Sequence, residues 1–156
     1  MNRSSASKAI LWGGLIAGAL DLTAACVGSW LRAGVKPVRI MQSISSGLLG
    51  SDAYNGGAKT AALGVVLHFL IATIWTVVFY AASRKLRFLL EQPVLWGLVY
   101  GVIVYAFMNF VVLPLSALPP ARTPPTLTGR MIQMLIIMFC IGLPIAIIVR
   151  RFSKQP

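Results

Sequence analysis

The chain has 156 residues, of which 58% are hydrophobic and only 11% charged, and 14 Lys and Arg stand against 3 Asp and Glu. A soluble domain carries about 25% charged residues, so these charges cannot coat a water-facing surface. The figures exclude a soluble enzyme and a disordered chain. They also exclude a nucleic-acid binder, because a basic binding face needs a soluble body to display it. What remains is an integral membrane protein with basic ends.

The charge positions divide the chain. Residues 9–31 hold one charge, Asp21, while residues 60–83, 92–121 and 131–149 hold none. A helix needs about 20 mostly apolar residues to cross the hydrocarbon core. The spacing predicts an all-α polytopic protein, one membrane domain over residues 1–156. Its four transmembrane helices are expected near 9–31, 60–82, 93–114 and 127–149. Thr23-Ala24-Ala25-Cys26 resembles a lipoprotein cleavage box. Thr stands where Leu is usual and Asp21 breaks the apolar run, so an uncleaved first helix is expected. Cys26 and Cys140 fall inside spans as small apolar residues, and no metal-ligand spacing is present.

The first connection, residues 32–59, is long. Pro37 can open a helix, and Val38, Met41, Ile44 and Leu48 follow at helical spacing. Gln42, Ser43 and Ser46 lie off that stripe, and Lys36 and Arg39 sit at its start. This pattern predicts an interfacial helix over about 37–50. The alternative is a re-entrant segment, which must be covered by protein to hide its backbone polar groups. Gly47, Gly50, Gly56 and Gly57 would permit close packing or sharp turns.

The second connection is tight and basic. Arg84, Lys85 and Arg87, with Arg150 and Arg151 after the last span, are expected to anchor against anionic headgroups. Pro93 suits the start of the third helix. The third connection, from Pro114 to Thr126, holds five of the nine prolines, with Arg122, Pro124 and Pro125 near its end. Such a segment is stiff and extended. It serves as a strap between helices or as a docking surface. Thr126 or Thr128 can cap the fourth helix.

An even number of spans puts both ends of the chain on one side. That side carries Arg3, Lys8, Arg84, Lys85, Arg87, Arg150, Arg151 and Lys154 in short segments. The other side carries Arg32, Lys36, Arg39, Lys59, Arg122 and Arg130, spread over longer ones. The positive-inside rule then places both termini in the cytoplasm. Leu11-Trp12-Gly13 opens the first helix and Leu95-Trp96-Gly97 the third, an echo expected of a parallel repeat of two hairpins.

Each span carries one notable polar residue: Asp21, His68, Asn109 and Gln133. At a rise of 1.5 Å per residue, all four fall within about 8 Å of the midplane, in one layer of the outer half. A lone aspartate there costs about 2.5–3.5 kcal/mol on insertion scales. It must face the bundle interior and find a partner. His68, the sole histidine, is the expected one. The pair is either an interhelical clamp or a proton- or ion-linked site. A third use of His68, as a haem or pigment ligand, would need a partner chain.

Gly14-x-x-x-Gly18 and Gly97-x-x-x-Gly101 place small residues one turn apart. They let backbones approach closely and are expected to pair the first helix with the third, or to drive homo-oligomerisation. The acidic residues are only Asp21, Asp52 and Glu91. No paired carboxylates, no nucleophile beside a base, no metal cluster and no phosphate loop appear, so the chain reads as a non-enzyme without cofactor.

Several segments together resemble the YagU-type family of small bacterial inner-membrane proteins. They are Gly14-Leu15-Ile16-Ala17-Gly18, His68-Phe69, Leu95-Trp96-Gly97, Pro114-Leu115-Ser116-Ala117-Leu118-Pro119-Pro120 and the basic exit Arg150-Arg151. The resemblance is carried by these 19 residues and extends over about half of the chain, which is shorter than that family's pattern before the second helix. The resemblance implies a bacterial inner-membrane location and a part in acid tolerance. It supplies no catalytic residues. The sequence thus leads to a small membrane protein, stress- or proton-linked through its polar layer. The alternative is an accessory subunit stabilising a larger membrane complex through its glycine faces and proline-rich loop.

Overall fold

The computed structural model describes residues 3–120 and 126–153. Arg122, Pro124, Pro125 and Lys154 lie outside the described residues. The chain is an all-α polytopic membrane protein. In hydrocarbon each backbone group must be satisfied within its own segment, so the four apolar runs become helices. They are α1 (Arg3–Ala33), α3 (Gly57–Lys85), α5 (Pro93–Leu115) and α6 (Leu127–Ser153). Between them lie α2 (Pro37–Leu49), continued by a 3₁₀ turn over Gly50–Tyr54, and the short α4 (Phe88–Glu91).

Local signals set the ends. Pro37 and Pro93 occupy first-turn positions of α2 and α5. The Thr126 side chain accepts the Gly129 N–H at 3.1 Å and caps α6. Gly34 ends α1 with φ +63°, its N–H donating to the Trp30 carbonyl at 2.8 Å. A residue with a Cβ is strained in that conformation.

The spans form a ring. Helix α1 packs against α3 and α6, and α5 packs against α6. Aromatic side chains close the ring between α3 and α5. Tyr100 Oη donates to the Trp75 carbonyl at 2.6 Å, and its ring meets Phe79 edge-on at 4.9 Å. The core of Ala17, Phe79, Tyr100, Val104, Ile145 and Val149 fills the half of the bundle toward the chain ends.

The glycine faces are used inside the chain, but not in the expected pairing of first helix with third. Gly14 and Gly18 face Thr73, Phe69 and Ala72 of α3. Gly97 and Gly101 face α6. A Cβ on Gly97 would lie 3.0 Å from Leu143 Cα, and one on Gly142 would run into the Gly97 carbonyl. The physical reason is connectivity. Each motif packs on the span that follows its own in the chain, so that each pair is an antiparallel hairpin of consecutive spans.

Helices α5 and α6 each contain a five-residue π-helical turn, Met108–Val112 and Met138–Gly142. Each is followed at once by Leu-Pro: Leu113-Pro114 and Leu143-Pro144. Proline has no N–H, and its ring clashes with the carbonyl four residues earlier. That carbonyl belongs to Phe110 in α5 and to Cys140 in α6, each inside the widened turn. The π geometry accommodates the proline without ending the helix.

Helix α2 lies on α3, and its polar side is the buried one. Gln42, Ser45 and Ser46 are at most 5% exposed, whereas Val38 and Leu48 are 50% and 63% exposed. Protein contact is thus made by the polar side, while Val38 and Leu48 of the apolar stripe stay outward. Short side chains allow close approach, and Gly64 provides the seat, since a Cβ there would collide with the Met41 carbonyl. The buried hydroxyls bond back to their own helix, Ser45 to Gln42 O at 3.0 Å and Ser46 to Ser43 O at 2.7 Å. Gln42 Nε2 donates to Gly57 O at 3.1 Å.

Candidate functional site

The four intramembrane polar residues line one cavity of about 520 Å³, at the end of the bundle opposite the chain termini. Each helix contributes for a reason visible in its sequence. Asp21 comes from α1, one turn beyond the Gly14–Gly18 contact that brings α1 against α3. His68 and Trp75 come from α3, two turns apart on one side. Met108 and Asn109 come from the π-turn of α5, and Gln133, Ile137 and Ile141 from α6.

The cavity has a roof. Ile40, Ser43, Ile44, Gly47 and Leu48 of α2 lie over it, with Ser116 and Leu118 of the segment after α5. The two roof pieces are tied together, the Ala117 N–H donating to the Gly47 carbonyl at 2.8 Å. The proline-rich connection therefore acts, over its described part, as a strap across the end of the bundle.

Asp21 and His68 are the members of the layer that meet. His68 Nε2 lies 2.9 Å from the Gly18 carbonyl oxygen and 3.8 Å from Asp21 Oδ2. Their side chains are 14% and 19% exposed. A carbonyl can only accept, so Nε2 carries a hydrogen and Nδ1 is the position for a second one. Besides that Nε2 hydrogen, the pair then holds one exchangeable proton when it is electrically neutral. It sits either on the carboxyl or on Nδ1. Removing it leaves one net negative charge within the membrane.

The amides sit differently. Asn109 Nδ2 donates to the Tyr105 carbonyl of its own helix at 2.9 Å, where the π-turn begins to open the backbone ladder. Gln133 is exposed, at the rim of the cavity. The depth argument thus brings four residues to one chamber, but only two of them into a pair.

Three participants were missed from sequence. Trp75 forms part of the wall and packs edge-on against Tyr100 and Phe107 at 6.1 and 5.4 Å. Met108 opens the π-turn. Gly64 seats the roof. The signal for the π-turn was present in the Leu-Pro pairs at 113–114 and 143–144. A proline inside an otherwise unbroken apolar run asks how the helix survives it.

Among the described residues, no group of three or more His, Cys, Asp and Glu is placed to hold a metal ion. Apart from Ser43 and Ser116 in the roof, the remaining lining is apolar. A concave, largely apolar chamber with a few convergent polar groups is the usual form of a small-molecule site. The chain matches no protein-family model, no curated protein and no solved structure.

Proposed function

We propose that this chain is a proton-linked protein of a bacterial inner membrane, with both termini cytoplasmic. Its roofed chamber binds a small, mainly apolar cation in exchange for a proton. The observation that carries this reading is the convergence of Asp21 and His68 on an otherwise apolar cavity of about 520 Å³. An uncompensated charge is costly in such surroundings. When the proton leaves the pair, a cation in the chamber restores neutrality. When the proton returns, the cation loses its partner. Trp75 adds an aromatic face of the kind that attracts organic cations.

The test uses purified protein in weakly buffered detergent solution, with tetraphenylphosphonium as the probe cation. The expected result is release of about one proton per bound cation from wild type, and none from Asp21→Asn, as linkage requires. Binding without proton release from wild type would reject the exchange. If Asp21→Asn matches wild type in binding and release while Asp21→Leu fails to assemble, Asp21 and His68 are an interhelical clamp.

A further inference from the structure

A second cavity, of about 580 Å³, opens at the other end of the bundle, and it is basic. Arg84 comes from the last turn of α3, Arg87 from the N-terminal boundary of α4 and Arg150 from the last turns of α6. Three elements therefore aim guanidinium side chains at one space. Helix α4 packs against α6 and closes its side. Glu91, Ser83 and Ser153 complete the polar wall.

The charges do not cancel. Among the described residues that line the cavity, three guanidiniums face one carboxylate. Among the described residues, the sole ion pair is Asp21 with His68 in the other half of the molecule. None of the three arginines is therefore within salt-bridge distance of Glu91. The Ser83 hydroxyl is committed to the Tyr80 carbonyl at 2.7 Å, which leaves the guanidiniums and the Ser153 hydroxyl as donors. Lys85 and Arg151 are neighbours in sequence but do not line the cavity.

We infer that this cavity is a binding site for a phosphate-bearing anion, filled by the headgroup of an anionic phospholipid. Guanidinium forks match phosphate oxygens two at a time, and the net excess of two positive charges suits a diphosphatidyl headgroup. The setting favours lipid over free phosphate. The arginines sit where membrane helices end, Leu90 forms part of the wall, and Leu86 and Phe88 beside it are 45% and 40% exposed. Acyl chains would lie along that apolar surface. The site is independent of the proton-linked chamber.

The experiment compares two double variants that remove the same charge. Arg87→Gln/Arg150→Gln strips the cavity, and Lys85→Gln/Arg151→Gln strips its surroundings. Detergent-purified protein is titrated with cardiolipin, with phosphatidylcholine and with inorganic phosphate, and bound species are read by native mass spectrometry. The cavity variant is expected to lose cardiolipin affinity by about tenfold or more, and the control by about twofold or less. Equal losses in both variants would overturn the site in favour of general surface attraction. Binding of inorganic phosphate that displaces cardiolipin completely would overturn the lipid assignment. Should the cavity variant not fold, Arg87→Lys/Arg150→Lys keeps the charge and removes the fork. It must lose cardiolipin affinity at least severalfold, or the proposal fails.

Discussion

His68 of α3 reaches the backbone of α1 at Gly18, its Nε2–H donating to the Gly18 carbonyl at 2.9 Å. Because that bond uses one ring nitrogen, its structural part can be separated from proton exchange. His68→Gln retains a donor of similar reach and is expected to stay within about 0.5 kcal/mol of wild type. His68→Leu leaves Asp21 without its partner and should lose about 1–2 kcal/mol. Unfolding in a denaturing-detergent titration measures both. Equal losses in the two variants would show that Nε2 is not the donor that matters.

Gly142 should be the least replaceable glycine of α6. A Cβ there would meet the Gly97 carbonyl and come within 2.8 Å of Gly101 Cα, all of it backbone that cannot rotate away. Gly142→Ala is expected to cost about 2 kcal/mol or more, as overpacking does. Gly28→Ala is the control, because its nearest neighbour is the flexible end of Arg32 at 3.3 Å. It should be close to neutral in the same titration.

Gly64 seats the roof, so Gly64→Ala should lift α2 without unfolding the spans. Hydrogen exchange over residues 37–49 is expected to speed up by about tenfold, which corresponds to about 1.4 kcal/mol of lost local stability. Exchange in α6 should not change. Uniform acceleration along the chain would mean that α2 is part of the core and not a separable cover.

Tyr100→Phe removes one hydroxyl from the α3–α5 contact. The lost bond to the Trp75 carbonyl, 2.6 Å in the native protein, should lower stability by about 1 kcal/mol. The ring contacts with Trp75 and Phe79 persist in this variant. Tyr100→Ala removes those too and should cost about 3 kcal/mol or more. A Phe variant as damaged as the Ala variant would place the energy in the hydroxyl.

The sequence made the spans legible because water and hydrocarbon sort residues with little ambiguity. Three runs without a charge, and a fourth with Asp21 alone, become the four membrane-length helices. Depth was legible too. A constant rise per residue took Asp21, His68, Asn109 and Gln133 to one level, and the structure places all four around one cavity. Pairing was not legible. Gly14 and Gly97 announce that some backbone comes close, but a glycine has no side chain to name its partner. Which side of α2 meets protein was not legible for a related reason. A hydrophobic stripe marks the buried side of a helix in water, whereas beside a bilayer it can be turned to lipid while Ser45 and Ser46 pack on protein.

The two π-turns make residue count a structural quantity. An α-helix takes 3.6 residues per turn, so one additional residue shifts the direction of everything beyond it by about 100°. In α5 this lets Gly97 and Gly101 abut α6 while Asn109 and Val112, in the turn itself, border the chamber. A single-codon deletion at Phe110 or Val111 would remove the widened turn, leave Pro114 to clash with the preceding turn and bend the helix there, and spare each glycine contact below it. It would also swing the strap away from Gly47. In an alignment such a change is one gap in an apolar run, yet in this fold it unlatches the roof.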